Sequence, residues 1–154
     1  MLTDHLRRVS LAHLPTPLEE MPRLGAALGG PRLWLKRDDQ TGLATGGNKA
    51  RKLEFLVAEA LECGATTLIT TGAPQSNHAR QTAAAAAKCG LRCVLVLGGG
   101  PPTQSRQGGN VLLDRLLGSE LRWLEGQERI EAMAAVAEEE RAAGRRPYVV
   151  PYGA

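Results

Sequence analysis

The stretch "TTLITTGAPQSNHARQTAAAAAKCGLRCVLVL", residues 66–97, contains the unit that decides the fold. "TTLITT" is β-branched and of strand length, and Gly72 and Pro74 end it. Ser76 or Asn77 then suits a helix N-cap, and residues 77 to 88 read as a helix rich in alanine. "RCVLVL" is a second apolar strand. A strand, a helix of about three turns and another strand form a right-handed βαβ unit, so the two strands are expected to be parallel.

The same alternation extends both ways. Upstream, Leu53, Leu56, Val57, Ala60 and Leu61 recur at helical spacing from Asn48 onward, and Gly64 stands where a C-terminal cap belongs. Downstream, the pattern predicts a helix over about 108–117, a strand at "LRWL", a helix over roughly 127–142 and a strand at "PYVVP". The expected fold is therefore α/β, an open parallel sheet with helices on both faces. Residues 1–47 differ. They are irregular and rich in Pro and Gly, with one short strand expected at "RLWLK", and they read as an N-terminal arm before an α/β domain at 48–154. "LGGGPPTQSRQGG", residues 97–109, is a weak linker signal that a βα loop explains equally well.

Composition narrows the function. With 43% hydrophobic and 23% charged residues in 154, the chain has a globular balance. A net charge of +3 and only 3% aromatic residues leave little for stacking bases, which argues against nucleic acid. No apolar run approaches the ~18 residues of a membrane span, and "MLTDHLRRVS" lacks a signal-peptide core, so a soluble cytoplasmic protein with no membrane partner is expected. Cys63, Cys89 and Cys93 form no Cys-x-x-Cys and read as reduced, buried thiols. His5, His13 and His78 have no helical pairing, so no metal site is expected.

Familiar phosphate motifs fail on inspection. "GLATGGNKA" resembles a Walker A loop, but Asn48 separates Gly47 from Lys49, and Ala50 stands where the magnesium-binding hydroxyl belongs. "GGGPPT" lacks the third glycine of a Rossmann turn. No Gly-x-Ser-x-Gly elbow is present. The run of alanines at 83–87 permits close approach to a helix backbone, either by the sheet or by a flat ligand.

Two loops at strand or helix ends remain. In "TGGNKARK", Lys49, Arg51 and Lys52 crowd the positive end of a helix, costing from a few tenths to ~1 kcal/mol each, so an anion is expected nearby. Long side chains reaching into water are the plain alternative. The chemical alternative is that Lys49 is a nucleophile toward an aldehyde, since an amine kept among cations gives up its proton more readily. In "TTGAPQSNHARQ", Gln75, Ser76, Asn77 and His78 surround the free N–H groups of a helix start, a ready carboxylate site. An amine for an aldehyde and a cradle for a carboxylate together describe an amino-acid enzyme using pyridoxal phosphate.

With "PTPLEEMPRL", "LKRDDQTGLATGGNKARKLEFL", "TLITTGAPQSNHARQTAAAAAKCGL" and "RRPYVVPYG", the chain resembles the D-cysteine desulfhydrase and 1-aminocyclopropane-1-carboxylate deaminase family. This family is part of the tryptophan-synthase-β-like, fold type II pyridoxal phosphate enzymes. The resemblance implies that Lys49 forms the Schiff base, that Asn77 hydrogen-bonds the cofactor's 3′-oxygen and that Lys52 reaches its phosphate. Ser76, with the N–H groups of Asn77 and His78, would bind the substrate carboxylate, making Lys49 and Ser76 the catalytic pair. It implies β-elimination on a small amino acid, with D-cysteine favoured because His78 stands where the deaminases are expected to carry Gln. It further implies that 48–154 is the small domain, that the arm belongs to the large cofactor domain, and that the full-length form is a homodimer. Family members are about twice as long, and a Gly-Gly-Ser segment is expected where this chain reads "VVPYGA". The 154 residues alone are accordingly expected to be nearly inactive. A non-catalytic α/β module is the alternative from another class.

Overall fold

The computed structural model describes residues 5–100, 108–124, 126 and 128–152. Four parallel strands form the main sheet: β3 (Thr67–Gly72), β4 (Arg92–Leu97), β5 (Glu120–Trp123) and β6 (Pro147–Val149), ordered β5-β4-β3-β6. They follow a smaller antiparallel pair in the arm, β1 (Leu18–Glu20) with β2 (Trp34–Lys36), which encloses helix α1 (Pro22–Leu28). The remaining helices are α2 (Lys49–Glu62), α3 (Asn77–Lys88), α4 (Asn110–Leu116) and α5 (Arg129–Ala142).

Alternation along β3 and β4 builds two cores. Leu68, Cys93, Leu95 and Leu97 face Leu53, Val57, Ala79, Ala83 and Ala86 of α2 and α3. Ile69, Val94 and Val96 face Met133, Val136 and Ala137 of α5 on the other side. Helices therefore cover both faces, as the pattern predicted. The alanine run is packing: Ala83, Ala85 and Ala86 are fully buried in the first core, where small side chains let α3 lie against the sheet and α2.

The elements at 108–117 and 127–142 are shorter than expected by one to two residues at their ends, and residue 127, like the centre of the 97–109 stretch, lies outside the described residues. The arm corrects the reading more substantially. It carries α1 and a second strand, and its residues 9–12 dock on α2. The Val9 N–H donates to the Glu54 carbonyl (2.9 Å), and the Leu11 and Ala12 N–H groups donate to Glu54 Oε1 (3.0 and 3.1 Å). Leu11 is itself part of the first core. The cysteines are free, but only Cys93 is buried; Cys63 is exposed just past α2 and Cys89 is half-buried. Burial in the sheet pushes the Cys93 thiol up to about 12, which keeps it inert. No described helix is long and apolar enough to cross a membrane, and no described cluster of His, Cys, Asp and Glu could hold a metal.

The bottom of the sheet is locked by Glu140. Its buried carboxylate accepts from Thr67 Oγ1 (2.8 Å) and from both Nε and Nη2 of Arg145, and Arg92 lies 3.4 Å away. These partners, Arg145 first, lower its pKa to about 2. A carboxylate depressed in the folded state stabilises above its unfolded value, near 4.5, and that contribution disappears as pH falls toward 2. Glu140→Gln should cost up to about 3 kcal/mol at pH 7, reduced by solvent screening of the half-exposed arginines. Thermal melts should show the gap between wild type and variant closing from pH 4.5 to 2; a gap independent of pH would contradict the assignment.

Candidate active site

In an open α/β sheet, ligands collect where the strand order reverses. Here β3 continues through α3 to β4 on one side while β6 lies on the other, so the reversal falls between β3 and β6. An open cleft of about 300 Å³ is lined by Lys49, Lys52, Ser76, Asn77, His78 and Tyr152, the last lying just beyond β6. All five site residues expected from the two loops thus meet in one cleft. Its described lining contains two ammonium groups and no carboxylate, the donor set an anion requires.

Ser76 is the N-cap of α3, its Oγ accepting from the Ala79 N–H at 3.2 Å. Gly72 makes room for it, because a Cβ there would lie 2.7 Å from Ser76 Oγ. Asn77 and His78 open the helix, so their N–H groups lack carbonyl partners one turn back. Within the described protein those donors are uncommitted.

The His78 ring points inward and is buried. Thr70 has one hydroxyl hydrogen, given to the Val150 carbonyl (3.1 Å), so its oxygen accepts from His78 Nε2–H (2.9 Å). The ring is then the Nε2–H tautomer, and its buried Nδ1 is an acceptor with no partner among the described residues. Burial, followed by the charges of Lys52 and Lys49, lowers its pKa to about 4, so it is neutral at pH 7. The part of His78 able to meet an anion is its backbone N–H, while its ring ties α3 and β3 to the end of β6.

Lys49 is the first residue of α2, presented by a strained turn. Ala44, Thr45, Gly46 and Gly47 all have positive φ (44°, 70°, 80° and 130°), a region costly to the two non-glycines. The cation cluster beside it divides. Arg51 forms a bidentate pair with Asp38 of the arm, Nε to Oδ2 at 2.7 Å and Nη2 to Oδ1 at 2.6 Å, and this pair with Thr16 holds the Asp38 carboxyl down at about 2. The anion expected near the cluster is thus partly internal. Lys52 has no such partner among the described residues. Burial, and then Lys49, lowers its pKa.

Residues 9–154 match the family model of pyridoxal-phosphate dependent enzymes. The chain belongs to that family. It is 49% identical to a D-cysteine desulfhydrase of Klebsiella pneumoniae (strain 342), covering 95% of this chain and 45% of that protein. A D-cysteine desulfhydrase of Salmonella newport (strain SL254) gives the same figures. A crystal structure of an ACC deaminase homologue superposes with a TM-score of 0.89 at 41% identity, covering 99% of this chain and 46% of that one. The chain therefore spans about half the length of the curated relatives it matches.

The residues present fit that cofactor: an amine for its aldehyde, a second ammonium and free N–H groups for anionic oxygens. Sequence reasoning missed Tyr152, whose ring is stacked by the Arg129 guanidinium 5.1 Å from its centroid. Its place directly after a strand at the order reversal was the available signal.

Proposed function

We propose that this chain supplies the lysine and the anion-binding loop of a pyridoxal phosphate-dependent carbon–sulfur lyase acting on D-cysteine. The supporting observation is the cleft between β3 and β6, where Lys49 and Lys52 share a surface with the open start of α3. The names of the 49%-identical relatives favour this substrate.

Pyridoxal phosphate, when bound, supplies an aldehyde for amines and a ring that draws electrons from the substrate's Cα. The Lys49 amine would hold that aldehyde, and the same amine, when free, would take the substrate's Cα proton. Lys52 would supply positive charge to the phosphate, and the Asn77 amide a hydrogen bond to the ring oxygen. The Ser76 hydroxyl and the N–H groups of Asn77 and His78 receive the substrate carboxylate. Loss of the thiol from Cβ and hydrolysis then convert D-cysteine and one water to pyruvate, ammonia and hydrogen sulfide. The proposal extends to a cytoplasmic homodimer in which the arm, residues 1–47, joins a larger cofactor domain. Exposed Leu18, Leu24, Leu28 and Trp34 support that role for the arm.

ACC deaminase activity is the second reading, favoured by the solved neighbour. The chain joined to the half of the Klebsiella relative that it does not span should release pyruvate from D-cysteine and no 2-oxobutanoate from 1-aminocyclopropane-1-carboxylate. The opposite preference would establish the second reading, and inactivity with both a non-catalytic module. In that fusion, Ser76→Ala should raise KM for D-cysteine about tenfold, the loss of one charge-assisted hydrogen bond, with cofactor affinity changed far less. Equal loss of both would reduce Ser76 to a helix cap.

A further inference from the structure

The strained turn before Lys49 needs something to hold it, and the structure shows what does. On one side Thr41, fully buried, accepts from the Gly47 N–H (2.9 Å) and donates to the Gly47 carbonyl (2.7 Å). On the other side Arg80 of α3, 7% exposed, donates from Nη2 to the Gly46 carbonyl at 2.6 Å, and Gln81 donates to the same oxygen. The contact is close: a Cβ on Gly47 would meet Gln81 Nε2 at 2.3 Å.

Arg80 also reaches the other loop. Its Nη1 donates to Asn110 Oδ1 (3.0 Å) at the start of α4. Asn110 Nδ2 in turn donates to the Gln75 carbonyl (2.8 Å) and to Asn77 Oδ1 (3.3 Å). Its backbone N–H donates to Gln75 Oε1 (2.8 Å). One planar guanidinium therefore stands between the turn that presents Lys49 and the amide that fixes Asn77. Asp114, fully buried on α4, acts on Arg80 only through space: it makes no hydrogen bond among the described residues, and burial pushes its carboxyl up to about 7. A lysine has a single nitrogen and cannot span both acceptors as this fork does.

We propose that Arg80 is the positioning residue of this site, holding the 44–47 turn through the Gly46 carbonyl and the Asn77 side chain through Asn110, and so setting where Lys49 stands relative to the anion-binding loop. The proposal rests on Lys49 being the cofactor lysine.

The test uses the 154-residue chain and two readouts. In the first, pyridoxal phosphate is added, the product is reduced with borohydride, and the initial rate of labelling at Lys49 is divided by that at exposed Lys88. Arg80→Met should lower this ratio by roughly tenfold or more and Arg80→Lys by less, as expected for losing two or one charge-assisted hydrogen bonds. In the second, hydrogen exchange is followed by peptide. Arg80→Met should speed exchange at both 44–49 and 75–79 while peptides from β4 and α5 stay as in wild type. Asn110→Ala should loosen 75–79 and leave 44–49 nearly unchanged. An unchanged labelling ratio in both Arg80 variants would overturn the proposal, as would exchange accelerated uniformly over the whole chain. If Arg80→Met does not fold, Arg80→Lys and Asn110→Ala give the same contrast. Should wild type label Lys49 no faster than Lys88, the cofactor-lysine reading fails, and the exchange pattern alone decides what Arg80 holds.

Discussion

Lys49→Ala is expected to abolish cofactor capture and, in the fusion that carries the relatives' full length, to lower pyruvate release from D-cysteine by about a thousandfold or more. Two proposed roles would be lost together, the amine for the aldehyde and the base for the Cα proton, and a positioned base alone is worth ~10²–10⁴. Stability should hardly change. Lys49 is half-buried at the first position of α2 and has no hydrogen-bond or ion-pair partner among the described residues. Removing a cation from a positive helix end even relieves a small repulsion, within about 0.5 kcal/mol. A melting temperature within a few degrees of wild type, with capture gone, is the expected combination. Turnover above a tenth of wild type would remove Lys49 from the chemistry.

Gly46→Ala should also impair Lys49, by a different route. Gly46 has φ of 80°, and a Cβ there would lie 1.8 Å from the Asp39 carbonyl oxygen, which is backbone and cannot swing aside. The turn must therefore open. Its carbonyl leaves Arg80 and Gln81, two buried donors lose their acceptor, and Lys49 moves with α2's first turn. The expected cost is at least about 2 kcal/mol from the strained backbone and the stranded donors together. Lys49 labelling should fall at least tenfold, as for Arg80→Met. Differential scanning calorimetry and the labelling ratio check both halves; a variant with wild-type stability and labelling would mean the turn is not clamped as described.

The parallel sheet was legible because β3 and β4 are buried on both faces. Such strands read as continuous β-branched and apolar runs, and "TTLITT" and "RCVLVL" are that. The arm was not legible in the same way. β1 and β2 are three residues each and exposed, so "LEE" and "WLK" carry no burial pattern, and they form only because they pair with each other. Lys49, Ser76, Asn77 and His78 could be singled out because their type conflicts with, or completes, a helix start. Arg80, by contrast, lies four residues into α3 and reads as an ordinary helical cation. Its partners, the Gly46 carbonyl and Asn110, are 34 and 30 residues away, and only folding brings them to it. Glu54 was hidden similarly: it looks like an exposed helix carboxylate, yet it caps two N–H groups of the arm from a buried position. Asp38, the partner that partly resolves the charge at the start of α2, is 13 residues from Arg51.

Lys49 is the residue proposed to hold pyridoxal phosphate. The most direct measurement is peptide mapping by mass spectrometry after the wild-type chain has been mixed with pyridoxal phosphate at low molar excess and reduced with borohydride. The first pyridoxyl group to appear, however small its yield, should be on the peptide containing Lys49, with Lys36, Lys52 and Lys88 labelled only at higher excess. Labelling spread evenly over the lysines, or concentrated on one other than Lys49, would contradict it.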